Sequence, residues 1–203
     1  MKKLSLLAAF MMAFTFAHSQ KFVEGAKDFK FLKGQTKINI EYDYENLHVW
    51  KRNQTEEEYV DTKVKEKNEK QAGTGDTWKV NWEKARDERY KPKFEELFNK
   101  VLEKASVTAG EGVSGAKYTL IVKTTFIYPG YNIGISKMPS YVDFEFIWVE
   151  TDNKDKVISK QLMKNAQGSQ MMGFDFDIPT RVAESYAIGG KKLAALVWKK
   201  GLK

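Results

Sequence analysis

The chain has no cysteine among its 203 residues. That excludes thiol catalysis, thiolate metal sites, disulfides and a lipid-bearing cysteine near the N-terminus. Histidine is nearly as scarce, with two in all, and one of these is His18 in an apolar N-terminal segment. His48 alone remains, so a histidine-rich metal site is excluded and a Ser-His-Asp triad has only His48 to draw on. No serine sits in a Gly-x-Ser-x-Gly elbow. His48, close to Trp50 after a strand, reads as an ordinary strand-end residue. No apolar run reaches the ~20 residues of a membrane span.

The run Leu4 to Ala17 falls short of that length and has another use. Residues 1–19, MKKLSLLAAFMMAFTFAHS, carry Lys2 and Lys3 ahead of the apolar stretch and small residues at Ala17 and Ser19. This is the pattern of a secretory signal peptide, cleaved near Ser19/Gln20. The expectation is a periplasmic or secreted protein whose residues 20–203 form a single globular domain. Cleavage removes two lysines and no acid, lowering the formal charge from +7 to +5. Hydrophobic residues at 42% and aromatics at 13% argue for a packed core rather than disorder.

The remaining charge is patterned. Residues 51–104 mix both signs nearly evenly, as solvated helix faces do. Residues 185–203 hold five lysines and no acid. Such cations suit a helix C-terminus, and the alternative is contact with an anionic lipid or polymer. Export makes nucleic acid an unsuitable partner.

Residues 36–44, TKINIEYDY, alternate with Ile38, Ile40, Tyr42 and Tyr44 on one face, which predicts a half-buried strand. Thr55 and Glu58 form a capping box that opens a charged helix over 55–71, ended by Gly73-Thr74-Gly75-Asp76. A second helical stretch covers 77–105, where Phe94, Leu97, Phe98, Val101, Leu102 and Ala105 follow helical spacing. Pro92 either starts that helix or kinks a longer one. Gly110-Glu-Gly112-Val-Ser-Gly115 fits G-x-G-x-x-G, but it follows a helix and precedes a strand. A phosphate cradle needs the reverse, so the segment reads as a loop. Strands follow at 117–128, 141–150 and 156–164, the last two joined by a turn at Asp152–Asp155. Pro179 starts the last helix, where Gly189 and Gly190 cost helix propensity that a close approach to the sheet would explain.

The predicted order is β-α-α-β-β-β-α. It implies an α+β two-layer sandwich, with an about four-stranded, mostly antiparallel sheet and helices on one face. Three details accompany it: Ala116-x-Tyr118-Thr-Leu-Ile-Val entering a strand, the turn from Asp152 to Val157, and Tyr186-x-x-Gly189-Gly190-Lys191 in the last helix. With them, residues 36–200 resemble small envelope domains related to the curli-secretion lipoprotein and the amino-terminal domain of the TolB translocation protein. The chain departs from the lipoprotein members in having no cysteine. The resemblance implies envelope assembly or binding rather than catalysis, and transfers no site residue.

Two loops are unusually apolar: 128–140, YPGYNIGISKMPS, and 165–179, NAQGSQMMGFDFDIP. They either fold back onto their own core or form a binding surface. In an up-down-up meander both lie at one end of the sheet. Tyr131, Met171, Met172 and Phe174 then become a candidate partner surface, opposite the basic tail, with Trp50 as a further binding residue. Asp143 and Glu145, about 6.6 Å apart along a strand, overlap the carboxylate spacing of some inverting glycosidases, though solvent-face charges are the simpler reading. Asp175 and Asp177 are too few for Ca²⁺. No catalytic residue, metal site or cofactor is assigned. The expected function is a non-enzymatic envelope protein that binds another envelope protein or polymer. The alternative is a carbohydrate-binding or carbohydrate-processing domain in which Trp50, Tyr131 or Trp78 stacks on sugar rings.

Overall fold

The computed structural model describes residues 20–168 and 177–203. The expected signal peptide over 1–19 and the positions Met171, Met172, Phe174 and Asp175 lie outside the described residues. The chain runs β1 (Gln20–Gly25), β2 (Lys37–Asp43), β3 (His48–Val49), α1 (Glu56–Lys70), α2 (Thr74–Ala85), α3 (Lys91–Leu102) and β4 (Thr108–Glu111). It continues through β5 (Tyr118–Tyr128), β6 (Tyr131–Asn132), β7 (Lys137–Met138), β8 (Tyr141–Glu150), β9 (Asn153–Gln167) and α4 (Ile178–Val197).

The molecule is α+β, but its sheet corrects the expected one. It has seven strands instead of about four, in the order β1-β9-β8-β5-β2-β4, with β3 also paired to β5. It is also mixed. The run β1-β9-β8-β5 is antiparallel, whereas β2 lies parallel to β4 and β5, and β3 parallel to β5. The extra strands are short or irregular. β3 has two residues and β4 four, too few for alternation to declare itself. β4 occupies the glycine-rich stretch read as a loop. It is a strand because α3 holds its outer edge: Asn99 donates to the Ala109 carbonyl (2.7 Å) and accepts from the Ala109 amide (2.8 Å). Glu95 also accepts from the Glu111 amide at 3.1 Å. An edge that would otherwise invite another chain is thereby satisfied.

The helices do not form one layer either. α3 and α4 cover the sheet through Phe94, whose ring lies 6.3 Å from Phe144 and 6.0 Å from Phe146, and through Tyr186, 5.0 Å from Phe144. The α1–α2 pair packs chiefly on itself, through Tyr59, Trp78 and Trp82, and meets the sheet at β3. α1 opens with the capping box, Thr55 Oγ1 accepting from the Glu58 amide and Glu58 accepting from the Thr55 amide. One turn of π-helix, Arg86–Tyr90, joins α2 to α3, with Pro92 in the first turn beyond it.

Under α3 and α4 the sheet presents Ile38, Ile40, Leu120, Val122, Phe144, Phe146, Trp148 and Met163, all without solvent exposure. The other face carries ion pairs: Lys123 with Asp43 at 2.6 Å, Lys160 with Glu145 at 2.8 Å and Lys154 with Glu41 at 2.7 Å. Alternation along β2, β5 and β8 produces this division directly.

Candidate functional site

The end of the sheet where β5 stops and β8 starts gathers the functional candidates. β3 joins this end, placing His48 beside Phe126 and Val49 beside Ile127. The next amide, Trp50 N–H, donates to the Ile127 carbonyl at 2.9 Å. Trp50 has a left-handed backbone, φ +69°, which a bulky residue adopts only when its surroundings fix it. Its ring stacks on Tyr128 at 5.2 Å and 19°, yet 41% of the residue stays exposed. Tyr141 lies 6.0 Å beyond Tyr128. Partial burial raises the Tyr128 hydroxyl pKa, and the neighbouring Tyr131 and Tyr141 add to the rise.

A tight turn follows Trp50, with Gln54 N–H donating to the Lys51 carbonyl. It sends Arg52 back across the sheet. The guanidinium sits 4.4 Å from the Phe126 ring centroid and donates to Asp143 at 2.6 Å. Asp143 is fully buried, also accepts from the Asn165 amide at 2.6 Å, and has Lys164 at 3.4 Å. Strand register shifts on both sides of β8 at this point, and Asn165 is left-handed at φ +52°. These bulges turn Asp143 under Arg52. The two carboxylates read from the sequence as a pair are therefore separately occupied, Asp143 by Arg52 and Glu145 by Lys160.

The apolar stretch 128–140 is a hairpin rather than a plain loop. β6 and β7 pair Tyr131 with Met138 and Asn132 with Lys137, separate from the main sheet. Gly130, at φ +65°, permits the tight entry, since a Cβ there would lie 2.4 Å from the Met138 carbonyl oxygen. At the tip Ile133 is 67% exposed and Ile135 98%, and on the stem Met138 is 40% exposed. The base is fixed. Buried Arg181 of α4 donates to the Pro129 carbonyl at 3.1 Å. The Ser140 hydroxyl is bonded to the Arg181 carbonyl and to Ser185. An apolar tip is thus held on a rigid stem.

Of the residues predicted to bind, Trp50 and Tyr131 stand at this end, with Tyr131 half-buried and its hydroxyl 3.3 Å from Ser136. The Met171, Met172 and Phe174 assignments lie outside the described residues, although Gly168, which precedes them, bonds to the Ser140 carbonyl at 3.1 Å. Asp177 caps α4, accepting from the Thr180 amide at 3.0 Å. Trp78 belongs elsewhere, stacked on Trp82 at 5.5 Å within the helical pair. In the basic tail, Lys200 donates to the Lys27 carbonyl and lies over the Phe22 ring. Sequence reasoning missed Arg52 and did not separate Ile133, Ile135 and Met138 from the rest of their loop. Adjacent exposed isoleucines around Gly134 were the available signal.

Among the described residues no group of His, Asp or Glu is placed to hold a metal ion, and no helix is long and apolar enough to cross a membrane. No family model matches the chain, and no curated protein matches it. Two solved structures of the PelC dodecamer from Paraburkholderia phytofirmans, one of them a point variant, align with it at TM-scores of 0.37 and 0.36. They are 9% and 10% identical and cover 84% of this chain and 95% and 96% of those chains. Similarity of this degree shows neither a family nor a function.

Proposed function

We propose that the chain is a non-enzymatic binding or assembly protein of the cell envelope, engaging its partner with the Trp50–Tyr128–Tyr131 end of the sheet and the hairpin beyond it. The exposure of Ile133, Ile135 and Met138 on a pinned stem carries this reading. Apolar side chains held in water lower solubility, and a patch of them marks an interaction surface. The envelope location rests on the signal-peptide pattern of residues 1–19 and on the resemblance to small envelope domains. The carbohydrate alternative has less support, because Trp78 lies in another cluster and both strand carboxylates are engaged by cations.

The test is a photo-cross-linking residue at Tyr131 in living cells, with one at Val80 on α2 as the control. Adducts with an envelope component from position 131 and none from position 80 are expected. Intact mass of the native protein should show loss of about residues 1–19. A full-length cytoplasmic product without adducts would overturn the reading.

A further inference from the structure

Resting on that reading of the same surface, we infer that the hairpin tip seats in the interface of an anionic lipid leaflet. Shape is the first ground. Ile135 is 98% exposed and Ile133 67%, so both project from the apex of the hairpin. A protein partner would have to supply a matching pocket for a convex two-residue point, whereas a leaflet receives it without preformed complementarity. The ordering of side chains down the stem is the second. Ile133 and Ile135 come first, Tyr131 and Met138 next, and the Trp50–Tyr128 stack with Tyr141 at the base. Apolar tip followed by amphipathic aromatics is the sequence of environments from acyl chain to headgroup. Charge is the third ground. Segments 48–55 and 128–142 contain Lys51, Arg52 and Lys137 and no acid, which suits an anionic surface. Among the described residues, Asp143 beneath is buried and covered by Arg52, and Asp177 is engaged as the cap of α4.

Two isoleucines make a weaker anchor than one acyl chain, so binding is reversible and depends on the added cations. The absence of cysteine offers a clean probe, because Ile135→Cys in the full chain creates its single thiol. An environment-sensitive dye on it should shift to the blue with phosphatidylethanolamine vesicles containing phosphatidylglycerol, and less so in high salt. The same dye on Val80→Cys should not respond. The double variant Ile133→Ser, Ile135→Ser should lower co-sedimentation with those vesicles at least about tenfold, with its thermal melt unchanged. No shift at position 135, or an equal shift at position 80, overturns the lipid assignment. A silent dye together with cross-links from Tyr131 in cells would overturn the lipid assignment alone and leave the binding reading standing. Silence in both would end both.

Discussion

A carboxylate closed off from water needs a cation, and Asp143 takes Arg52 from a turn 91 residues earlier. Removing that cation leaves a buried charge with only Asn165 N–H and Lys164, whose ammonium lies 3.4 Å away on a half-exposed side chain. A fully buried pair would lose about 3–5 kcal/mol. Arg52 keeps 59% of its side chain exposed, so Arg52→Met is expected to cost about 1–2 kcal/mol, read as a lower urea midpoint. Making Asp143→Asn in the same background should recover part of that loss, since the amide carries no charge to strand. An unchanged midpoint in Arg52→Met would show that Lys164 and water suffice. Neither partner was legible as such. Period-two alternation puts Asp143 on the open face, correctly, but cannot foresee two bulges and an arginine folded over it. Trp50 was legible as a candidate by type alone; its left-handed backbone was not.

Among the elements, those with long regular patterns were legible and those held by partners were not. The alternation of β2, the helical spacing in α3 and the meander β5-β8-β9 follow from local chemistry. β1, β4 and the β6–β7 hairpin exist through contacts made elsewhere: β9 beside β1, Asn99 beside β4, Arg181 beneath the hairpin. The paired glycines of α4 sit between these cases, since their cost was visible and its reason structural. A Cβ on Gly189 would meet the Phe144 ring at 2.7 Å, and one on Gly190 the Phe94 carbonyl oxygen at 2.3 Å. A ring can turn by a few degrees, but a backbone carbonyl within α3 cannot. Gly190→Ala should therefore lose about 2 kcal/mol despite the ~1 kcal/mol gain in helix propensity. Gly189→Ala should lose less, and thermal melts of the pair give the order. Asn99→Ala should cost about 1–3 kcal/mol by leaving both Ala109 backbone groups unpaired, with faster amide exchange confined to β4.

At the scale of the whole molecule, Tyr59, Tyr90 and Tyr186 are buried and Tyr42 and Tyr44 half-buried. Desolvation, first among the causes, raises the hydroxyl pKa of Tyr42, Tyr44, Tyr90 and Tyr186, and pushes Tyr59 up to about 12. A folded-state pKa above the unfolded value of about 10 means that the fold favours the protonated form. That stability is complete below about pH 10 and is lost as pH rises further, by up to about 1.4 kcal/mol per unit for each tyrosine. Unfolding should therefore be abrupt between about pH 10 and pH 12, with tyrosinate absorbance and loss of circular dichroism rising together. Gradual ionisation with native dichroism retained would contradict it. The strand order has a consequence in time. β1 pairs with β9, β2 with β4 and β5, and β3 with β5. Until residue 108 has been made, the chain holds three strands that have no partner in one another. The first half of the polypeptide can wind its helices but cannot lay down a sheet. On the export route proposed above, this keeps the leading half slack until the trailing half arrives.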